Sequence, residues 1–273
     1  MMTTTADAAM GLSAEDHAAL LAAVRSLENP GFAARLAGVL GHPVARVGRA
    51  LPPAATEAIT AATEKALSAA LSVALATLRR APRTGSQRLH TALAMASGAA
   101  GGAFGLVSLP IELPVSTVIM LRSIAEIARR AGEDLSTADA ALACVQVFAL
   151  GAPAAESAAS ESSYFAVRGV LAKSVSEAGR YIAERGLLEE GAPALVRLIT
   201  LLAARFGVVV TQKFAAQAIP VIGAAGGAAV NYAFIEHFQD TASGHFTVRR
   251  LERSHGKDTV QEAYQRLRAA IKT

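Results

Sequence analysis

Tryptophan is absent from this 273-residue chain, and aromatic residues together make up only 5% of it. That argues against the aromatic girdles of membrane-embedded proteins. It also argues against the stacking platforms that hold single-stranded nucleic acid, so no nucleic-acid partner is expected. Cysteine occurs once, as Cys144. A single thiol builds neither a disulfide framework nor a thiolate metal site, and its place in the apolar run Leu142–Leu150 reads as a small buried hydrophobe. Charged residues are sparse at 18%, against 52% hydrophobic. Alternating, β-branched strand patterns are missing too, and Val208-Val209-Val210 is the one tempting stretch, set inside a helical pattern. Met1–Met10 lacks a basic start followed by a leucine-rich core, so no secretory signal is read and a cytoplasmic protein is expected.

What the chain does contain is helix. Much of its apolar content is alanine, the strongest helix former. Residues 1–12 read as a disordered tail, and residues 13–271 as a single helical domain. Ser13 followed by Asp16 resembles a capping box, and Leu20, Leu21, Val24 and Leu27 follow at helical spacing. Asn29-Pro30-Gly31 and Gly41-His42-Pro43 are breaks. Pro52-Pro53 opens a helix with the stripe Ile59, Leu67, Leu71, Leu75 and Leu78. A periodic helix with Val115, Ile119, Ile124 and Ile127 follows Pro114 and ends at Gly132. Ser136 and Asp139 mark the next start, and Gly151 the next stop. Tyr164 to Arg185 is helical, as is Pro193 to about Gln217. Pro220 begins a further helix running towards Gly244, and pieces at about 245–254 and 258–271 are split by Gly256. The expected fold is all-α: a multi-helix bundle of about ten helices, two of them glycine-rich and central.

Those two helices are read from a repeat. Gly-Ala-Ala-Gly-Gly occurs at 98–102 and again at 223–227. The copies lie in runs without charge, 21 residues long at 91–111 and 22 at 214–235. Length alone suggests membrane spans. Composition points elsewhere: 11 of the 22 residues in the second run are glycine or alanine, and Gln217, Pro220 and Asn231 interrupt it. Glycines four apart let a second helix approach closely. Packing in a soluble core is therefore placed first, peripheral membrane association second and spanning third.

Few polar groups stand in apolar surroundings. Glu112, between Pro110 and Pro114, is either exposed at a bend or buried and paired; it reads as a bend-capping carboxylate near free helix N–H groups or as a catalytic one. Lys213 and Arg168 interrupt apolar stretches, where they either snorkel or neutralise an acid. Arg122 and Glu126 read as an ordinary helix pair. His237 and His245 lie near Glu236 and Asp240, but eight residues of helix span about 12 Å, too far for one small metal ion unless the chain breaks near Gly244. Arginine clusters at Arg79, Arg80, Arg83, Arg88 and at Arg249, Arg250, Arg253 could meet anionic lipid or cap helix ends. Gly101-Gly102-Ala-Phe-Gly105 lacks the lysine and hydroxyl residue of a phosphate cradle, and no Gly-x-Ser-x-Gly elbow occurs.

Longer motifs carry a resemblance. Glu112-Leu-Pro-Val-Ser-Thr-Val-Ile-Met-Leu-Arg-Ser-Ile-Ala-Glu-Ile-Ala, Gly132-Glu-Asp-Leu-Ser, Val147-Phe-Ala-Leu-Gly151, Tyr164-Phe-Ala-Val-Arg168, Gln217-Ala-Ile-Pro-Val-Ile-Gly-Ala224, Asn231-Tyr-Ala-Phe, His237-Phe-Gln and Gly244-His-Phe-Thr-Val-Arg-Arg-Leu-Glu252 together resemble the EcsC family over about 13–270. Gln146 departs from the pattern, where an acidic residue is expected. The resemblance implies an α-helical protein, often encoded beside membrane-transport functions, with no settled activity. It implies recurring polar positions at Glu112, Arg168, Lys213, Asn231, His237 and His245. The reading reached is a protein that binds lipid or another apolar ligand, or docks on an anionic membrane surface or a membrane-transport complex, with those six residues as ligand contacts. No cofactor and no metal are assigned. The alternative is a hydrolase or metal-dependent enzyme using Glu112 with His237 and His245.

Overall fold

The computed structural model describes residues 11–28, 32–40, 52–77, 109–152, 164–185, 192–217 and 223–272. All regular structure among them is α-helix. In chain order the helices are α1 Ala14–Leu27, α2 Phe32–Leu40, α3 Pro53–Thr77, α4 Leu109–Arg130, α5 Ala138–Leu150, α6 Tyr164–Arg185, α7 Pro193–Gln217, α8 Gly223–His255 and α9 Lys257–Lys272. Among the described residues the fold is thus an all-α bundle of nine helices. Ser13 caps α1: its Oγ accepts from the Asp16 backbone N–H at 3.1 Å and its hydroxyl donates to the Asp16 carboxylate at 3.2 Å. Gly132 and Gly256 take positive φ, +82° and +86°, where α4 ends and where α8 gives way to α9. A side chain would be strained at both.

Three local expectations are corrected. The cap of α5 is Thr137, whose Oγ1 accepts from the Ala140 N–H at 3.2 Å, while the Ser136 N–H is turned to Asp134 Oδ1 at 3.0 Å. α4 begins at Leu109, before both prolines. Pro110 sits where helix N–H groups have no partner anyway, and Pro114 forfeits only the bond back to Pro110. Helical phase then leaves Val115 48% exposed and buries Leu113, Leu121 and Ile124. Finally, α8 runs unbroken through Gly244, so the 245–254 piece is its second half.

The reason lies in packing. A Cβ on Gly244 would sit 2.7 Å from Leu27 Cγ and 3.2 Å from the Ala23 carbonyl oxygen. Glycine is what lets α1 cross α8 this closely, and the contact offsets a propensity cost of about 1 kcal/mol. Gly244→Val should lower unfolding stability by roughly 1–3 kcal/mol through overpacking, read by urea denaturation. Trimming the neighbour with Leu27→Ala should recover part of that loss.

The second Gly-Ala-Ala-Gly-Gly opens α8. The first copy lies outside the described residues, as do residues 1–10, the breaks at 29–31 and 41–43, Leu78, Arg79, Arg80, Arg83, Arg88, the 154–163 segment and Pro220.

α8 organises the bundle, packing against α1, α2, α4, α5, α7 and α9. The main core gathers α2 to α8 around Phe148, Phe206, Phe234 and Phe238, whose ring centroids lie 4.9–6.1 Å apart in contacting pairs. Cys144 is buried in it, and desolvation pushes its thiol far above the usual range. A satellite core joins Leu20 and Val24 of α1 to Val248 and Leu251 of α8 and Val260 and Tyr264 of α9, with Tyr164. α3 and α7 are long and apolar enough to cross a membrane by length and composition, and only 39% of the most apolar window of α7 is buried inside the bundle.

Candidate functional site

The six polar positions singled out in the sequence fall into three places on or beside α8. The first is a buried ion pair. Glu112 lies in the first turn of α4, where the helix dipole favours a carboxylate, and Lys213 lies near the end of α7. Lys213 Nζ donates to Glu112 Oε1 at 2.6 Å, with the lysine side chain fully buried and that of the glutamate nearly so. The ammonium stands 4.8 Å from the Phe234 ring centroid and 5.6 Å from that of Phe214, within cation–π range. Desolvation lowers the Lys213 pKa, and Glu112 pulls the other way. Glu112 Oε2 is buried without a hydrogen-bond partner. Asn231 is buried on α8, one turn before Phe234. Of the alternatives, Glu112 is thus the buried, paired carboxylate rather than a bend cap, and Lys213 neutralises an acid rather than snorkelling.

The second place lies between α6 and the later half of α8. Arg168 binds Glu252 through two hydrogen bonds, at 2.8 and 3.1 Å, and donates to the Tyr164 hydroxyl at 3.2 Å. That hydroxyl lies 2.7 Å from His245 Nδ1. His245 is fully buried and its Nε2 has no hydrogen-bond partner. Desolvation, helped by the charges of Arg168 and Arg249, holds its pKa well below the ordinary value. The ring is therefore neutral.

His237 forms the third. Its Nε2–H donates to the Gly151 carbonyl at 2.6 Å, tying α8 to the end of α5. Burial lowers its pKa to about 4, outweighing the opposing bond to Gly151. Gly151 leaves room for this contact, since a Cβ there would lie 2.6 Å from Phe238 Cε1 and 3.2 Å from His237 Nε2.

Glu112 and Lys213 are thus brought together, Arg168 and His245 are linked through Tyr164, and His237 stands apart. With α8 unbroken at Gly244, the two histidines remain about 12 Å apart along one helix and cannot bind one small ion. Among the described residues no group of three or more His, Cys, Asp or Glu side chains could hold a metal ion.

Surface charge is more committed than its sequence suggests. Arg249 pairs with Glu133 at 2.9 Å and Asp139 at 2.8 Å, Arg253 also pairs with Glu133, and Arg250 with Asp16 at 3.2 Å. All three arginines of that cluster are thus paired with acids, while Arg253, exposed in the last turn of α8, also donates to the Ala131 carbonyl at the end of α4 at 2.6 Å, as a helix-end arginine does. Glu126 pairs with Arg129 and Arg130, at 3.4 and 3.3 Å, rather than with Arg122.

Tyr164 and Glu252 were missed as members of the polar network. A signal existed: Tyr164 stands four residues before Arg168, hence on the same helix face.

An all-α bundle holding buried ionic and imidazole groups, without an assembled catalytic constellation among the described residues, defines a class by fold rather than by chemistry. Residues 18–251 match the model of the EcsC protein family, and the chain belongs to that family. No curated protein and no solved structure matches it.

Proposed function

We propose that this protein binds a lipid or a similar apolar molecule and works peripherally at the cytoplasmic face of the inner membrane, beside membrane-transport machinery. The observation that carries this reading is a juxtaposition in the first turn of α4. Ile111 is 76% exposed, and the next residue, Glu112, is buried against Lys213 with one carboxylate oxygen unpartnered. An apolar surface thus borders a polar pair set among aromatic rings, the arrangement of pockets that hold apolar ligands by a few placed polar contacts. α7, which carries Lys213, also has outward apolar residues at Val196 and Val208. Attraction to anionic lipid falls to Arg79, Arg80, Arg83 and Arg88, because Arg249, Arg250 and Arg253 already pair with acids.

The expected result is lipid in organic extracts of the purified protein, detected by mass spectrometry, and flotation with anionic liposomes that weakens as salt rises. Absence of both would end the proposal. The hydrolytic or metal-dependent alternative gains nothing from this geometry, since Glu112, His237 and His245 are engaged with different partners.

A further inference from the structure

The unmet bonding at the buried pair is specific in kind. Glu112 Oε1 accepts from Lys213, and Oε2 is left as a buried acceptor without a donor. An ammonium carries three N–H donors. Among the described residues Lys213 donates to no other acceptor, and the face of Phe234 meets its charge without accepting a conventional bond. A spare acceptor and a spare donor therefore lie side by side, on groups of opposite charge.

Charge decides among ligand heads. A carboxylate or phosphate drawn to Lys213 would meet the unpartnered Glu112 oxygen, a like charge at contact distance. An ammonium drawn to Glu112 would meet Lys213. In surroundings this dry, either repulsion is weakly screened. A hydroxyl is neutral, and it donates one hydrogen bond while accepting others.

We infer that the Glu112–Lys213 pair recognises the hydroxyl of a neutral lipid, its O–H donated to Glu112 Oε2 and its lone pair taking a Lys213 N–H. The inference rests on the reading of the protein as a binder of apolar ligands. Exposed Ile111 and, one turn on, Val115 offer apolar surface for the acyl chain on the same turns of α4 as Glu112.

The test titrates delipidated full chain with monooleoylglycerol, methyl oleate, oleate and oleylamine, followed by native mass spectrometry. These share one chain length and differ in the head. Monooleoylglycerol should bind roughly ten-fold or more tightly than the other three, the scale of a hydrogen bond to a charged group. That preference should vanish in the E112L/K213M double variant. Replacing a buried ion pair by apolar residues of similar size is often neutral or stabilising, so a retained melting temperature certifies the variant as folded. Equal binding of all four, or preference for the anion or the cation, overturns hydroxyl recognition and leaves apolar-ligand binding standing. A preference that survives in E112L/K213M shows that the hydroxyl is read elsewhere and overturns the site. Binding of none overturns both readings.

Discussion

Lys213→Met alone should cost about 3–5 kcal/mol of unfolding free energy, the usual penalty for stranding one member of a buried pair. The lysine side chain is fully buried, and Glu112 accepts from no other described donor. Methionine fills the volume but offers the carboxylate nothing, so the loss comes from an unpaired buried acid rather than from a cavity. Adding Glu112→Leu should return most of that loss. Urea denaturation of wild type and of the single and double variants closes the cycle and isolates the coupling. If K213M were as stable as wild type, the pair would be neither buried nor coupled as described.

Stability should also fall by roughly 3 kcal/mol between pH 6.5 and 4 on account of His237 alone. Its pKa drops from 6.5 to about 4 on folding. Below pH 6.5 the unfolded chain takes up a proton that the folded protein refuses. Unfolding is therefore favoured as pH falls, and the contribution levels off near pH 4. His245 acts in the same direction, its ring held neutral by burial and by Arg168 and Arg249. Glu133 adds a later loss: Arg249 and Arg253 outweigh its burial and keep its pKa below 4.5, so its pairing fades only as pH drops through the carboxylate range. Denaturant midpoints measured from pH 7 to 4 should show the slope. His237→Gln retains a donor for the Gly151 carbonyl without titrating, and should flatten the slope.

Much of the architecture is legible in the sequence because helix ends are local chemistry. Ser13, Pro53, Gly132, Pro193 and Gly256 each act through their own backbone or nearest neighbours, and the helices begin or stop there. Prolines in the first turns of α4 misled, because Pro110 lacks an N–H that would have had no partner and Pro114 costs the helix a single bond. Gly244 misled for the opposite reason: its meaning comes from Leu27 and Ala23, more than two hundred residues earlier. The polar site shows the same division. That Glu112, Lys213 and Arg168 matter is visible from their apolar settings. That Glu112 belongs with Lys213 is not, since 101 positions separate them. Likewise Arg249 looks like free surface charge until the fold brings Glu133 and Asp139 to it.

The satellite core has a consequence for the order of folding. Glu28, just past α1, accepts from the Tyr264 hydroxyl at 3.0 Å and from Arg268 Nε at 2.8 Å, across 236 and 240 positions. Asp16 is bound in the same way by Arg250 and His255. During synthesis α1 precedes Tyr164 of α6, which shares its core and whose backbone N–H donates to Glu28 at 3.3 Å, and it precedes by far more the later half of α8 and α9, which supply most of the satellite core. Its contacts with Val248, Leu251, Val260 and Tyr264 can form only once more than two hundred further residues have been added. The clasp between α1, α8 and α9 closes a very long loop, and such contacts form late because the entropy of closure precedes their reward. The two ends of the helical domain therefore act as a latch that fastens only after the bundle between them has been translated.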